Sequence, residues 1–177
     1  TEFLGYEYDK AEGVVLKIYK SNSFINEAKT GDKIELITNQ TPFYAESGGQ
    51  VGDQGFINTS DCKINVMDTL KKMGDLHVHI CTVESGKIKI GQSVNLVINT
   101  DKRNNARAYH SATHLLHEAL RRTLGKHVTQ KGSLVSPEKL RFDFSHNKRI
   151  ENNELDKIEK LVNEMVANSS DVKTRIM

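Results

Sequence analysis

The sequence has few of the residues that mark secreted, membrane-bound or disulfide-stapled proteins. Only 2 of its 177 residues are Cys, which is too few for a disulfide framework. Cys62 and Cys81 also lack the CxxC spacing of a metal site, so we expect two reduced thiols. No run approaches the roughly 20 apolar residues that span a bilayer, and residues 1–5 lack the basic start of a secretion signal. We therefore expect a cytoplasmic protein without a membrane partner.

Arginine is absent from the first 100 residues, and charge is unevenly spread along the chain. Residues 1–100 carry a net charge of −3, residues 101–150 carry +7, and residues 151–177 carry −2. A basic block of this kind is typical of a surface that meets RNA. A solvated basic face without a partner explains the charge equally well.

The first 100 residues carry the pattern of short β-strands. Five segments are rich in β-branched residues, several with alternating apolar and polar positions, and Gly, Asn, Asp and Ser occupy the turns between them. The segments are 13–19, 33–37, 63–67, 76–80 and 93–98. This spacing predicts a small antiparallel β-barrel or sandwich as a first subdomain, residues 1–100.

From Asp101 onward the period becomes helical. Asp101 is a good N-cap, the pattern runs to Leu124, and Gly125 is a typical helix end. The predicted apolar stripe comprises Ala108, Ala112, Leu115, Leu116, Ala119 and Leu120. Two strands (127–135 and 139–145), a second helix (151–167) and an extended segment from Val172 follow. The fold class is therefore α+β, with an α+β core over residues 101–177. A start without Met and an unfinished last segment suggest a piece of a longer chain.

The sharpest chemical feature is the pair His110 and His114 on the long helix. Residues four apart lie on one helix face, so both imidazoles can reach one metal ion. A zinc protease needs Glu directly after the first His, and Ser111 stands there instead. A zinc site needs three or four protein ligands. The further ligands are His117, a distant residue, or residues beyond Met177.

A glycine-rich loop, residues 41–55, is the second candidate. Its N–H groups, around Gly48, Gly49 and Gln50, can contact a phosphate or a ribose. It matches neither a Walker A nor a dinucleotide pattern, and a tight structural turn explains it equally well. A third candidate, residues 129–133, offers Gln130 and Ser133 as neutral hydrogen-bonding groups, although an ordinary polar strand is the simpler interpretation.

Taken together, residues 41–55, 110–120 and 127–135, followed by 140–144, resemble the editing domain of alanyl-tRNA synthetase. They stand in its order and roughly its spacing, and AlaX-type editing proteins share the pattern more loosely. The resemblance implies a small β-barrel followed by a core related to the editing domain of threonyl-tRNA synthetase. It also implies zinc held by His110, His114 and a downstream Cys-x-x-x-His, expected beyond Met177.

The resemblance further implies a function. Thr113, Gln130 and Ser133 would act in hydrolysis of the ester in mischarged Ser-tRNA(Ala) or Gly-tRNA(Ala), within an ATP-dependent alanine–tRNA ligase. Expected contacts with the acceptor end of tRNA(Ala) are Gly48, Gly49, Gln50, Arg103 and Lys131. Two alternatives stay open: a stand-alone AlaX-type deacylase, and an RNA-binding module without catalysis.

Overall fold

The structure is a computed structural model that describes residues 1–168. A run of strands precedes the first helix, and a strand pair separates it from the second. The strands are β1 (Glu2–Phe3), β2 (Lys10–Lys20), β3 (Ser23–Ile25), β4 (Glu27–Lys29), β5 (Lys33–Thr38), β6 (Gln40–Thr41), β7 (Gly55–Asn58), β8 (Lys63–Lys72), β9 (Leu76–Ser85), β10 (Lys87–Lys89), β11 (Ser93–Ile98), β12 (Gln130–Val135) and β13 (Leu140–Phe144). The helices are α1 (Thr100–Leu124) and α2 (Asn152–Ala167).

Six antiparallel strands close into a barrel, so of the two predicted all-β architectures the barrel is the one formed. Its order is β2, β5, β9, β8, β7 and β11, and pairing of β11 with β2 completes the ring. All five predicted strand segments lie within these strands. Closure leaves no free sheet edge within the ring, apart from β3, which adds to β2. The barrel confirms the predicted α+β class with a small β-barrel first.

The barrel interior is mainly apolar because alternate side chains of each strand point inward. Ile18, Leu36, Ile57 and Leu96 are completely buried there. Cys81 and Cys62 join the same cluster as free thiols, as expected, and burial raises the pKa of both.

The N-cap of helix α1 lies two residues before the predicted one. Asn99, not Asp101, is the N-cap, since its side chain accepts a hydrogen bond from the Lys102 N–H at 3.0 Å. Asp101 instead lies in the first turn, where a negative charge interacts well with the helix dipole. The predicted end is confirmed: the Gly125 N–H bonds to the Arg121 carbonyl, and the φ of Gly125 is 121°.

The predicted apolar stripe of α1 is wrong for its first half. Ala108 is exposed, whereas Arg103, Ala106 and Thr113 are buried on the other side. The hydrophobic pattern misses this face because a charged residue, Arg103, occupies an inward position that an internal carboxylate neutralises. Only near its C-terminal end does α1 bury the predicted residues, Ala119 and Leu120.

The strands β12 and β13 form an antiparallel pair that contacts α1. Helix α2 also packs against α1. The resulting core contains Ala119, Leu120, Val128 and Ile158 as fully buried members. Helix α2 starts as predicted, with a capping box between Glu151 and Glu154. The extended segment predicted from Val172 lies outside the described residues, and the division into domains at residue 100 stays a prediction. Neither helix is long and apolar enough to cross a membrane.

Candidate functional site

His110 and His114 lie one turn apart on α1 with their rings facing the same point. Their Nε2 atoms are 3.1 Å apart and the ring centroids 5.0 Å apart. His110 is half-buried and His114 is exposed. Burial first, and the neighbouring His114 second, lower the pKa of His110 below its ordinary value. The neutral imidazole, the form that binds a metal, is therefore favoured at His110.

The barrel supplies the partner of the second nitrogen of His110. Gln50, in the glycine-rich loop, is 6% exposed and places its Oε1 2.7 Å from His110 Nδ1. Because a carbonyl oxygen accepts only, this contact is a hydrogen bond when the neutral ring carries its proton on Nδ1. The Nε2 lone pair then points away from the barrel, toward His114.

A tight turn fixes the position of Gln50. Ser47 and Gln50 exchange two backbone hydrogen bonds, of 3.1 and 3.0 Å, around Gly48 and Gly49, whose φ values are 61° and 85°. Positive φ at both central residues defines the type I′ turn that glycine favours. Gly49 has a second reason to be glycine, since a Cβ there would lie 2.6 Å from the Ser133 carbonyl oxygen.

The same loop is hydrogen-bonded to β12. The Val135 N–H donates to the Gly49 carbonyl at 2.7 Å, and the Val51 N–H donates to the Val135 carbonyl at 3.0 Å. One short segment of the barrel thus contacts both elements that carry predicted site residues, the histidine helix and the Gln130–Ser133 strand.

A buried ion pair fastens the first turn of α1 to the barrel. The Nε of Arg103 donates to both Asp53 carboxylate oxygens at 2.9 Å, and its terminal nitrogens donate to the carbonyls of Gly5 and Pro42 at 2.7 and 2.9 Å. Both side chains are more than nine-tenths buried. These internal acceptors occupy the guanidinium, so the geometry speaks against the predicted role of Arg103 as an RNA contact and gives it a structural one.

A β-bulge decides how Gln130 and Ser133 are presented. Residues three apart on a regular strand face opposite sides, but the β12–β13 register shifts by one residue between Gln130 and Gly132. Gln130 then pairs with Phe144 and Ser133 with Phe142, which share one face of the hairpin. Since Phe142 packs 5.1 Å from the ring of His117, this face is the one turned toward α1.

The remaining predicted site residues differ in exposure. Thr113 is buried, and its hydroxyl donates to the Tyr109 carbonyl at 2.8 Å, so it retains only acceptor capacity. Gln130, Lys131 and Gly48 are exposed, which leaves them free to meet a ligand. Gly49 and Gln50 have structural contacts that account for their identity, while Gly48 faces open space and stays a candidate contact.

The two histidines suit two corners of a zinc site. Nitrogens bound at about 2.0–2.1 Å in tetrahedral geometry lie about 3.3–3.4 Å apart, close to the 3.1 Å observed. Over residues 1–168 no group of three or more His, Cys, Asp or Glu side chains is arranged to hold a metal. His117, one of the possible further ligands, instead packs on Phe142 with its Nε2 buried and unpaired.

A broad, open cavity of about 930 Å³ lies at the other end of the core, beside Leu124. His127 Nε2 and His146 Nδ1 meet at its wall, 2.9 Å apart. Leu124 is about 21 Å along α1 from His110, from a rise of about 1.5 Å per residue. The cavity is therefore separate from the His110–His114 pair.

Two side-chain contacts of the site were not found from the sequence. Asp53 carries no motif of its own, and only an arginine on the inward face of α1 would have indicated a buried carboxylate partner. Gln50 was predicted as a contact for RNA through the N–H groups of the glycine-rich loop, and its side chain lies against His110. No sequence periodicity connects residues 60 positions apart.

The fold and site define a closed barrel whose loop contacts a helix that carries a histidine pair, and known proteins share sequence with this chain. The family model "tRNA synthetases class II (A)" matches residues 1–102. The chain therefore belongs to the class II tRNA synthetase (A) family.

Individual relatives narrow the similarity further. The chain is 52% identical over 177 residues to the alanine–tRNA ligase of Rhodopseudomonas palustris, 51% to that of Rhizobium meliloti and 52% to that of Nitrobacter winogradskyi. Each match covers 100% of this chain and 20% of the relative. The chain thus spans about a fifth of the length of these relatives.

Proposed function

We propose that this chain is the editing region of an alanine–tRNA ligase, and that its site hydrolyses the ester of mischarged Ser-tRNA(Ala) or Gly-tRNA(Ala). The observation that carries the proposal is the convergence of three segments on one place: the His110–His114 pair, the glycine-rich loop, and the bulged strand with Gln130 and Ser133. Similarity of the whole chain to about a fifth of the length of alanine–tRNA ligases supports it. We also propose that the parent enzyme acts on alanine, ATP and tRNA in the cytoplasm.

A second, hydrolytic site is needed because the synthetic site for alanine has limited selectivity. A synthetic pocket for alanine cannot exclude the smaller glycine by size, and it rejects an added hydroxyl only weakly. Hydrolysis of an activated ester needs a positioned water and hydrogen-bond donors for the developing oxyanion. The exposed amide of Gln130 and the hydroxyl of Ser133 supply such groups on the face turned toward α1, and the buried hydroxyl of Thr113 can accept.

Zinc completes the proposed site, with His110 and His114 as two ligands and the remaining Cys and His ligands beyond Met177. Bound there, the ion supplies a positive charge that polarises an oxygen or holds an amine. The residues of this chain do the rest: Gln50 orients His110, and the loop keeps β12 beside α1. Exposed Gly48 and Lys131 are the proposed contacts with the acceptor end of tRNA(Ala).

The test is deacylation of Ser-tRNA(Ala) by a chain extended past Met177 to include the Cys-x-x-x-His segment. We expect hydrolysis of the seryl ester, sparing of Ala-tRNA(Ala), and near one equivalent of zinc, against little zinc in the 177-residue chain. His110→Ala should abolish zinc binding and hydrolysis, and Gln130→Ala should lower the rate with zinc retained. Lys160→Ala, on exposed α2, is the control.

Two outcomes would overturn the proposal. If the zinc-loaded extended chain binds tRNA(Ala) but leaves the seryl ester intact, the module is an RNA-binding one. If His110→Ala and Gln130→Ala hydrolyse the ester as fast as the unaltered chain, the catalytic site lies elsewhere.

A further inference from the structure

The contact between Gln50 and His110 joins the barrel to the proposed metal site across 60 residues of sequence. We propose that Gln50 is a positioning residue that holds His110 in the Nδ1–H tautomer and so prepares the metal ligand. This role rests on the proposed function only for what the metal does; the tautomer itself is a property of the metal-free chain.

A neutral imidazole has two ring nitrogens, of which one carries hydrogen and one a lone pair. Gln50 Oε1 lies 2.7 Å from His110 Nδ1, so the hydrogen is on Nδ1. The lone pair on Nε2 then accepts from His114 Nε2 at 3.1 Å in the metal-free chain. A metal that replaces this single proton meets two nitrogens already aimed at it.

Backbone hydrogen bonds at Gln50 and at both of its neighbours fix the point from which its side chain extends. Gln50 is bonded to Ser47 across the turn, and flanking Gly49 and Val51 are bonded to Val135. The residue is 6% exposed, so water has little access to it. Partners of this kind orient metal-binding histidines, and their loss usually costs about 10–100-fold in metal affinity.

The amide has a second possible orientation, and it makes the opposite prediction. If the Gln50 Nε2 faced the ring, it would donate to Nδ1, the ring hydrogen would move to Nε2, and the metal position would be blocked. Glutamate at this position can only accept. Comparing glutamine with glutamate therefore separates an oriented acceptor from an amide that merely fills space.

The first experiment measures the ¹⁵N chemical shifts of the His110 ring in the metal-free 177-residue chain. We expect the Nδ1–H tautomer in the unaltered chain and in Gln50→Glu, and a shift toward the Nε2–H tautomer in Gln50→Met. Gln50→Asn, which keeps an amide but shortens its reach, should behave as Gln50→Met and serves if the latter does not fold. An unchanged tautomer in both shortened and apolar variants would overturn the inference.

The second experiment measures zinc affinity of the extended chain by competition with a chelator. Gln50→Met and Gln50→Asn should bind about 10–100-fold more weakly, and Gln50→Glu should bind at least as tightly as the unaltered chain. Gln54→Met is the matched control, since Gln54 contacts Lys102 on the same helix but no histidine. Equal affinity in Gln50→Met and Gln54→Met would contradict the role.

These measurements separate the inference from the proposed function. An extended chain that hydrolyses no mischarged tRNA overturns the editing proposal, while the ring tautomer still tests Gln50. Conversely, a chain that edits and binds zinc equally well with methionine at position 50 keeps its proposed function and refutes the positioning role.

Discussion

The barrel and the α+β half of this molecule are built differently. The barrel is a closed ring around a cluster of 16 buried apolar residues, including Ile18 and Leu36 at 0% exposure. Within residues 101–168, the α+β half has a two-stranded sheet, and its core contains 4 buried residues with 8 partly buried ones packed against them. The half with the better core contributes support, and the half with the looser core carries the histidines and the Gln130–Ser133 strand. A site of this kind needs its geometry imposed from a rigid neighbour.

The largest expected effect comes from breaking the fastening between the two halves. Arg103→Met leaves Asp53 buried without its partner, and such a loss destabilises a protein by about 3–5 kcal/mol. The measurement is the free energy of unfolding in denaturant. Arg122→Met is the matched control on the same helix, because Arg122 is exposed and its pair with Glu118 contributes little. Equal effects of the two variants would show that the ion pair does not hold α1.

A comparison of two leucine truncations tests whether the cores differ in strength. Leu36→Ala in the barrel should cost about 2–5 kcal/mol, as is usual for a fully buried leucine. Leu161→Ala in the second core should cost about 1 kcal/mol, because that side chain is only partly buried. Thermal unfolding of both variants measures the difference. Equal losses would remove the contrast between the two cores.

Acid should weaken the barrel through His79. Complete burial lowers the pKa of His79 to about 4, although its Nδ1 bonds to the Leu36 carbonyl at 2.9 Å. The folded chain keeps this ring neutral, while the unfolded chain protonates it below about 6.5. Stability is therefore fully present above pH 6.5 and falls by up to about 3 kcal/mol as the pH drops to 4.

The measurement is the free energy of unfolding across this pH range, with His79→Leu as the control. The variant should lose the component of the pH dependence that is due to His79. If its stability falls between pH 6.5 and 4 as steeply as that of the unaltered chain, other groups cause the acid sensitivity.

The smallest expected effect compares two adjacent glycines of the loop. Both have positive φ, so alanine costs about 1–2 kcal/mol at either position. Only at Gly49 would the new Cβ also meet the Ser133 carbonyl oxygen, whereas at Gly48 it would face open space. Gly49→Ala should therefore destabilise more than Gly48→Ala and should also weaken zinc binding in the extended chain. Identical effects on zinc would mean that contact of the loop with β12 does not support the site.

The sequence predicted the elements better than it predicted their contacts. Strand patterns and helix ends follow from local chemistry, so the barrel strands, the Gly125 stop and, to within one residue, the start of α2 are confirmed. The predicted inward face of α1 was wrong for the first half of the helix, because Arg103 is buried there against an acidic residue 50 positions away. Hydrophobic periodicity cannot register a charge that is neutralised by a distant partner.

The candidate site shows the same limit. The histidine pair followed from helical spacing alone, and the structure places both rings together. Gln130 and Ser133 share one face of the hairpin because of a β-bulge, which the alternation of apolar and polar residues does not reveal. The contact of Gln50 with His110 joins positions 60 residues apart, which no local pattern predicts. Catalytic roles for Thr113, Gln130 and Ser133 stay predictions.

The most direct test of the account is a crystal structure of the extended chain with data collected at the zinc absorption edge. We predict an anomalous peak about 2.0–2.1 Å from the Nε2 atoms of both His110 and His114, with Gln50 Oε1 still bonded to His110 Nδ1. A peak bound through Nδ1 of His110, or a zinc site away from this pair with Gln50 turned outward, would contradict it.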